Sequence, residues 1–266
     1  MIDRARLEAI CREAGAMALG QWPGGGATVR PTLRHWSKGD ASPVSDADLA
    51  VDTFLKRELG TLLPAAGWLS EETVDDPARL ERDLVWLVDP IDGTRDFIRG
   101  RAGWAVSVAL VSAGRPLIAA LVAPARGETW SATAGAGAFL NGRRLVASRR
   151  TELASARIPA DSLPRADGDL LAVEKPNSIA LRIAMVADDR ADLLVTQRWG
   201  HEWDIAAATL IAREAGAAVS DARGRTLRFN KRDPKDWGVL ACAPALHGAA
   251  VARWGSGEIA PRPPRG

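Results

Sequence analysis

Two aspartates follow one strongly apolar run near the middle of the chain. The run covers residues 84–88, and the next residues are Asp89-Pro90-Ile91-Asp92-Gly93-Thr94, which places the two carboxylates three residues apart. Proline stiffens such a turn, and glycine lets the backbone approach a ligand closely. If both carboxylates and the Ile91 carbonyl point to one spot, they form a set of hard oxygens that suits Mg²⁺ or Mn²⁺. A helical turn that begins at Gly93-Thr94 would add free amides for a bound phosphate.

The same segment also has an ordinary structural interpretation. An Asp-Pro turn in which Asp92 and Thr94 cap the next helix needs no ligand. Two further acidic positions bear on this choice. Glu71-Glu72 end another short apolar segment, although adjacent acids commonly face solvent, and Asp204 opens an alanine-rich helix, where it could be only an N-cap. Each position alone leaves both interpretations open, so a metal site is indicated only if the acids converge.

The elements predicted around these acids begin with two helices and continue as a meander of strands. The first helix covers about residues 3–19, and the second follows Ser45, which can cap it. Strands are predicted at residues 84–88, 104–111, 117–122 and 128–132, and Asn141-Gly142 predicts a hairpin turn. The apolar stripe of the second helix comprises Leu49, Val51, Phe54, Leu55, Leu59, Leu62 and Leu63.

The second half of the chain alternates helices with short strands, which is typical of a smaller α/β layer. Mixed polarity over residues 151–169 marks a boundary. We expect an α+β half at residues 1–150 that binds metal and phosphate, a smaller α/β half at 151–254 that completes the site, and a flexible tail at 255–266. Helices are predicted at residues 178–188, 204–215 and 244–254, and strands at 191–196, 217–220 and 238–242.

Composition limits the class of protein. The chain has 266 residues, of which 47% are apolar and 26% charged, as expected for a globular enzyme and not for a disordered chain. Its 35 Lys and Arg against 33 Asp and Glu leave a formal charge of +2, far from the one-sided basicity that binding to duplex DNA rewards. A nucleic-acid polymer is therefore not the expected partner.

Three features of the sequence bear on its location. Charged residues are scattered through residues 1–20, which predicts an amphipathic helix and not a signal peptide. The most apolar stretch, residues 103–124, is interrupted by Gly114-Arg115-Pro116, so it is not a continuous membrane span. Two cysteines, Cys11 and Cys242, are too few for a disulfide framework or a four-ligand zinc site. We expect a cytoplasmic protein without membrane association.

Together these segments resemble a known family. Residues 86–97 and 203–216 are similar to the two signatures of the inositol monophosphatase superfamily, with the expected order and separation. Glu71-Glu72 and residues 38–48 resemble further family blocks, so the similarity spans most of the chain up to about Cys242. Joint occurrence makes this evidence stronger than a single motif. The resemblance implies an α/β (α+β) fold, a layered αβαβα sandwich of the inositol monophosphatase and fructose-1,6-bisphosphatase type.

The resemblance also implies roles for individual residues. Thr94, hydrogen-bonded to Asp48, is similar to the family pair that orients and helps deprotonate the attacking water, and Glu71 belongs to the same catalytic group. Glu72 is implied to support the metal ligands. Lys38 matches a lysine in a mobile loop near the third metal, although the residues beside it could equally form a solvated turn. The ligands implied for two or three Mg²⁺ ions, with Mn²⁺ as an alternative, are Glu71, Asp89, the Ile91 carbonyl, Asp92 and Asp204.

Substrate contacts are implied by a second set of matches. Ser178 lies in a segment that resembles a family block opening a helix near the substrate, with Asn177 in place of the glycine. Gln197 is about where inositol monophosphatases use a glutamate to bind ring hydroxyls. Arg198 beside it would suit an additional phosphate, and Trp199 could stack on a base, or both could simply cover a helix end. The remaining predicted phosphate or substrate contacts are Gly93, Thr94 and His201, and His201 could equally serve only to orient its loop.

Residues 42–45 and 97–99, with these contacts, resemble the bacterial 3′(2′),5′-bisphosphate nucleotidase branch. The resemblance therefore implies a Mg²⁺-dependent phosphomonoesterase that converts 3′-phosphoadenosine 5′-phosphate to AMP and phosphate with metal-activated water. Inositol-1-phosphate, histidinol phosphate and fructose-1,6-bisphosphate remain alternative substrates. A protein that senses a phosphorylated metabolite without hydrolysing it is the alternative of another class. In each case the partner is a small phosphorylated metabolite, and a homodimer is compatible with the sequence.

Overall fold

The computed structural model describes residues 2–24, 33–37 and 43–257. Its helices in these ranges are α1 (Arg4–Gln21), α2 (Asp46–Leu62), α3 (Thr94–Ile98), α4 (Ile179–Ala187), α5 (Glu202–Glu214) and α6 (His247–Trp254). None of these helices combines the length and the apolar character needed to cross a membrane. The strands are β1 (His35–Ser37), β2 (Pro43–Ser45), β3 (Gly67–Ser70), β4 (Leu84–Asp92), β5 (Ala105–Ser112), β6 (Arg115–Ala123), β7 (Glu128–Thr133), β8 (Gly137–Leu140), β9 (Arg143–Arg144), β10 (Arg157–Pro159), β11 (Leu171–Val173), β12 (Leu193–His201), β13 (Ala218–Ser220) and β14 (Lys235–Cys242).

The larger sheet has seven strands in the order β3-β4-β5-β6-β7-β8-β9. β3 is parallel to β4, with Ser70 paired to Val88, whereas the other neighbouring strands are antiparallel. Asn141 and Gly142 have φ values of 49° and 78°, as the predicted two-residue hairpin between β8 and β9 requires. Because β3 and β4 are parallel, the residues that follow both strands lie at the same edge of the sheet.

Alternate residues of the central strands face two layers of helices. Trp86 and Val88 belong to a core cluster with α1 and α2. Val85 and Leu87 face the opposite side and belong to a cluster with α4 and α5. Every second residue of β4 is thus committed to one layer, and burial on both faces explains why its sequence is a continuous apolar run.

A second sheet, in the order β12-β14-β13, covers the far side of α4 and α5. Leu194 and Ala241 pack in the cluster of those two helices, whereas Leu193 and Cys242 pack in a third cluster with α6. The layers therefore follow the order helices, large sheet, helices, small sheet, helix. This is the predicted αβαβα sandwich. The α4 and α5 cluster joins elements from both halves of the chain, and the division near residue 150 stays a prediction.

The structure corrects three details of the predicted elements. Leu49 is 40% exposed, because the buried face of α2 instead includes Asp48 and Asp52. The strand predicted at residues 191–196 extends to His201, because its pairing with β14 resumes at Trp199 after an irregularity. Finally, α5 begins at Glu202, so Asp204 lies inside its first turn and is not the N-cap.

Candidate active site

Three acidic side chains meet where β3 and β4 end, beside the N-terminus of α5. Glu71 directly follows β3, and its backbone N–H donates to the Val88 carbonyl at 3.2 Å. Asp89 lies near the end of β4, and Asp204 lies in the first turn of α5. One carboxylate oxygen from each of the three lies within 4.8 Å of the others. The structure thus brings together acids from three distant segments that the sequence analysis singled out.

An irregularity in β4 explains how Asp89 and Asp92 can act on the same space. The pairing of β4 with β5 shifts register between these two residues. In a regular strand, side chains three residues apart point to opposite faces, whereas an extra residue cancels the alternation. The carboxylate of Asp89 accepts the Ile91 N–H at 3.0 Å, which stabilises the local turn around Pro90.

Asp89 and Asp204 are held in an environment that opposes their ionisation. Burial raises the pKa of Asp89 well above its usual range, and the charges of Glu71 and Asp92 raise it further. Burial also raises the pKa of Asp204, with further contributions from Asp92 and Glu71. Among the residues that the structure describes, no cationic side chain forms an ion pair with Asp89 or Asp204. Buried charges of one sign need a compensating cation to stay ionised together.

This donor set fits a hard divalent cation. Carboxylate oxygens from three segments offer the ligand type that Mg²⁺ and Mn²⁺ prefer, and no sulfur or imidazole ligand belongs to the described cluster. A bound cation would favour the ionised forms that burial disfavours. The arrangement can therefore hold a metal.

Asp92 lies beside this cluster and is bound to the N-terminus of α4. Its carboxylate accepts the Ser178 hydroxyl at 2.5 Å and the N–H groups of Ala180 and Ile179 at 2.7 and 3.3 Å. Burial raises the pKa of Asp92 to about 6, although the Ser178 hydrogen bond and the nearby Arg182 charge oppose the increase. The predicted site residues Asp92 and Ser178 are thus in direct contact, and they connect the end of β4 to the middle layer of helices.

Thr94 and Asp48 meet at the β4 loop, the segment of residues 89–94 at the end of β4. The Thr94 hydroxyl lies 3.0 Å from the Ile91 carbonyl oxygen and 3.3 Å from Asp48 Oδ1. The other oxygen of Asp48 accepts the backbone N–H and the hydroxyl of Ser45, at 2.8 and 2.5 Å. Asp48 is therefore fixed by the N-cap of its own helix, and one hydroxyl proton of Thr94 is shared between two acceptors.

Gly93 allows this loop to pack tightly. It is the N-cap of α3, with φ of 96°, a conformation that favours glycine. A Cβ atom at this position would lie 2.7 Å from the Gly103 carbonyl oxygen and 2.9 Å from the Ser178 nitrogen. Its predicted role in phosphate binding stays a prediction, but the close approach between the β4 loop and α4 requires a glycine.

A narrow cleft next to Asp204 contains one of the predicted substrate residues. Arg198 lines it together with Asp204 and Ile179. Asp236, which the sequence analysis did not identify, also lines the cleft.

A second arginine, Arg182, lies in the first turn of α4. It is 7% exposed, and its guanidinium donates to the carbonyls of Ser178 and Asn177 at 3.2 and 3.0 Å. Burial lowers the pKa of Arg182 to about 10, and the charge of Arg198 lowers it further while that of Asp92 opposes this.

The other predicted substrate residues have different surroundings. Gln197 points toward the C-terminal helix, where its amide donates to the Trp254 carbonyl at 2.8 Å. His201 stacks on Trp203 with ring centroids 4.4 Å apart, and its backbone N–H donates to Asp204 at 3.1 Å. Trp199 contacts Trp237 edge to face. Their roles toward a substrate stay predictions, and the contacts of His201 place it as a neighbour of Asp204.

The two residues predicted to support the metal site differ in what the structure describes. Glu72 follows Glu71 in the turn after β3, and its backbone N–H lies 3.4 Å from the Ser70 hydroxyl. Lys38 lies outside the described residues.

Asp52 is another residue of the site region that the sequence analysis missed. It lies one turn after Asp48 in α2, and its carboxylate accepts hydroxyls from both ends of the Glu71 turn, Ser70 and Thr73. A signal was present in the sequence, since an aspartate four residues after Asp48 falls within the apolar stripe of an amphipathic helix.

The cysteines take no part in the site. Cys11 and Cys242 are both fully buried and unpaired. Burial raises the pKa of Cys242 to about 12 and also raises that of Cys11, so neither thiol is a nucleophile at neutral pH.

Comparison with known proteins extends these observations. The sequence pattern of the Inositol monophosphatase family matches residues 3–256. A 3′(2′),5′-bisphosphate nucleotidase CysQ of Aggregatibacter actinomycetemcomitans is 34% identical over 217 residues, covering 74% of this chain and 78% of the relative. A histidinol-phosphatase of Mycobacterium tuberculosis is 31% identical over 251 residues, covering 85% and 89%. The crystal structure of the extragenic suppressor protein suhB from Bartonella henselae superposes with a TM-score of 0.81 at 27% identity and covers 96% of this chain and 98% of that one.

Proposed function

This chain belongs to the inositol monophosphatase family and is a phosphatase, and we propose that it is a Mg²⁺-dependent phosphomonoesterase acting on a 3′(2′),5′-bisphosphate nucleotide. The observation that carries the metal-dependent part is the convergence of Glu71, Asp89 and Asp204 within 4.8 Å. The observation that favours the nucleotide is a pair of arginines beside that cluster.

The metal would be held by the three clustered carboxylates, with Asp92 and the Ile91 carbonyl as further oxygen donors. When bound, Mg²⁺ supplies positive charge to the phosphoryl group and lowers the pKa of a coordinated water. Asp92 contributes in a second way, because its hydrogen bonds to Ser178 and Ala180 keep the α4 N-terminus against the β4 loop. The protein's own part is to keep these oxygens converged despite their mutual repulsion.

Thr94 and Asp48 are proposed to position the attacking water. The Thr94 hydroxyl can donate to Asp48 Oδ1, from which it lies 3.3 Å, and its oxygen can then accept a hydrogen bond from the attacking water. Asp48 cannot rotate away, because Ser45 donates two hydrogen bonds to its other oxygen. A fixed acceptor behind Thr94 thus sets the direction of its hydroxyl.

The choice of a bisphosphate depends on Arg182 and Arg198. Among the described residues, neither guanidinium has a carboxylate within ion-pair distance. A buried guanidinium such as Arg182 favours a compensating anion. Arg198 lines the cleft next to Asp204, and guanidinium groups bind phosphate oxygens in a bidentate manner. A substrate with one phosphate at the metal and a second near these arginines would satisfy both charges.

A substrate panel tests this proposal. Phosphate release would be measured with Mg²⁺ for 3′-phosphoadenosine 5′-phosphate, for 3′-AMP as the matched compound without the second phosphate, and for inositol-1-phosphate, histidinol phosphate and fructose-1,6-bisphosphate. The bisphosphate nucleotide is expected to have the highest kcat/KM. Arg198→Gln is expected to lower kcat/KM for the bisphosphate by about tenfold or more, since hydrogen bonds to charged groups contribute about 1.5–3 kcal/mol, and to leave 3′-AMP nearly unchanged.

Different results would redirect the proposal. Faster hydrolysis of inositol-1-phosphate or histidinol phosphate would reject the nucleotide but keep the phosphomonoesterase. Full activity in excess chelator would reject the metal centre. A wild type that binds the bisphosphate tightly without releasing phosphate would indicate the sensor.

A further inference from the structure

Asp52 is a buried carboxylate that the proposed chemistry does not use. It is 6% exposed, and among the described residues no cationic side chain pairs with it. Its two oxygens instead accept hydroxyl groups, one from Ser70 and one from Thr73, the latter at 2.7 Å. Burying a carboxylate without a cation costs free energy, so the position of Asp52 on the buried face of α2 needs an explanation.

The two hydroxyls belong to the residues on either side of Glu71-Glu72. Pairing between β3 and β4 ends at Ser70 and Val88, so the sheet holds the chain on only one side of Glu71. Beyond it, Thr73 is anchored by its bond to Asp52 and by the Trp68 indole N–H, which donates to the Thr73 hydroxyl at 3.3 Å. Asp52 therefore closes the turn that carries Glu71.

A carboxylate meets this task better than an amide. The Thr73 oxygen already accepts the Trp68 N–H, and the Ser70 oxygen lies 3.4 Å from the Glu72 N–H, so both hydroxyl protons are directed at Asp52. A carboxylate offers an acceptor oxygen to each, whereas asparagine would present an NH₂ group to one of them. Replacing Asp52 with asparagine keeps the volume but removes one of the two anchors.

α2 carries Asp48 and Asp52 one turn apart on its buried face. Asp48 contacts Thr94, and Asp52 contacts the turn of Glu71. We propose that Asp52 is a positioning residue that holds the Glu71 turn in its metal-binding geometry, so that one rigid helix aligns Glu71 with Thr94. This inference rests on the proposed function only in taking Glu71 as a metal ligand.

The test is the affinity for Mn²⁺ alone, measured on full-length protein by electron paramagnetic resonance of the free ion. Asp52→Asn is expected to weaken Mn²⁺ binding by about tenfold, the lower end of the effect of groups that orient metal ligands. The Mg²⁺ concentration for half-maximal phosphatase activity should rise in parallel, while kcat at saturating Mg²⁺ changes much less. Asp192→Asn is the matched control, because Asp192 is also a buried aspartate that accepts a serine hydroxyl, here from Ser148.

Two results would overturn the inference. One is an Asp52→Asn protein that binds Mn²⁺ as tightly as wild type, even if its Tm falls, since that is a purely structural effect. The other is an equal loss of Mn²⁺ affinity in Asp192→Asn, which would reflect general destabilisation. If Asp52→Asn does not fold, Thr73→Val removes a single anchor and should still weaken Mn²⁺ binding, and an unchanged affinity there would count against the inference.

Failure of the proposed metal centre would look different. In that case wild type would not bind Mn²⁺, or Glu71→Gln would bind it as tightly as wild type. Tight binding by wild type, weak binding by Glu71→Gln and unchanged binding by Asp52→Asn would reject only the role of Asp52.

Discussion

Asp89 and Asp192 are both 2% exposed, yet their surroundings have opposite effects on ionisation. Asp192 accepts the Ser148 hydroxyl, the Arg157 backbone N–H and two bonds from the Arg157 guanidinium. Burial alone would raise the pKa of Asp192, but these donors outweigh it and lower the pKa to about 2. Asp89 accepts one backbone N–H and faces other carboxylates, so its pKa is raised.

The difference distinguishes a carboxylate whose charge the chain itself compensates from one whose charge it does not. At Asp192 the chain supplies the donors and the cation itself, and the carboxylate joins β10 to the start of β12. At Asp89 the chain supplies further acids, and under the proposed function a bound metal ion supplies the compensating charge. Equal burial therefore says little about role, whereas the balance of donors and charges around the group is informative.

Phosphatase activity should respond most strongly to a change at Asp89. Unchanged activity would contradict the distinction between Asp89 and Asp192. Asp89→Asn should lower phosphatase kcat/KM by about 10²–10³-fold, since metal charge stabilises the transition state by several kcal/mol and each 1.4 kcal/mol is tenfold. The metal-free variant should be at least as thermally stable as metal-free wild type, because a source of repulsion is removed. Phosphate release and thermal unfolding in chelator would be measured together. A marked fall in Tm with activity retained would assign Asp89 a structural role.

The matched substitution at Asp192 should have the opposite pattern, with lower stability and unchanged activity. Asp192→Asn removes the carboxylate that binds the half-buried Arg157 guanidinium, which keeps its ion pair with Asp189. The free energy of unfolding should fall by about 2 kcal/mol, within the range for hydrogen bonds to charged groups. Activity at saturating Mg²⁺ and low temperature should stay at the wild-type level. Urea unfolding gives the first quantity and phosphate release the second. Wild-type stability in this variant would show that the Arg157 contacts contribute little.

A smaller effect is expected from pH, and its sign differs between the two regions. Burial raises the pKa of Asp89, Asp204 and Asp92, and that of Asp92 rises to about 6. In the metal-free protein these groups therefore contribute stability that is fully present below about pH 4. This stability is lost as pH rises through the raised pKa values. Asp192, with a pKa of about 2, contributes stability above about pH 4 that is lost as pH falls toward 2.

Thermal unfolding in chelator between pH 4.5 and 8 is therefore expected to show a decline in stability, to which Asp92 contributes on the order of 2 kcal/mol and Asp89 and Asp204 add in the same direction. Saturating Mg²⁺ should remove the decline, because the metal binds the ionised carboxylates and its stabilising effect grows with pH. Identical pH profiles of stability with and without Mg²⁺ would mean that the loss of stability does not arise from the acids proposed to bind the metal.

Several parts of the fold could be predicted because their signals are local. The continuous apolar run of β4, the Asn141-Gly142 turn and the Ser45 cap are each decided within a few residues. The extension of β12 to His201 could not, because it depends on pairing with β14 some forty residues later. The exposure of Leu49 could not be predicted either. The face of α2 that is buried includes Asp48 and Asp52, whose partners lie in other elements, so contacts with distant residues decide which side of the helix faces inward.

The contacts of the candidate site also divide into those that local spacing predicts and those that it does not. Asp89, Asp92 and Thr94 lie in one short segment, whose spacing predicts their proximity. The contact of Asp92 with Ser178 and the direction of Gln197 toward Trp254 depend on how distant elements pack, so no local pattern contains them. Asp52 lies between these cases, since its place in an apolar stripe marks it as unusual but does not name its partners.

The layered sandwich is implied by the resemblance to a known family. The residues that can supply hard oxygens are evident from the sequence alone, and so is their place after apolar strands or at the starts of helices. These properties depend on residue type and on spacing along the chain, which are local. The packing of distant elements is needed to bring Glu71, Asp89 and Asp204 into one small volume, to bind Asp92 to the start of α4 and to let Asp52 close the Glu71 turn. The physical reason is that ionisation and metal affinity depend on the distance between charges and on their access to water, and both are set only when the layers pack together.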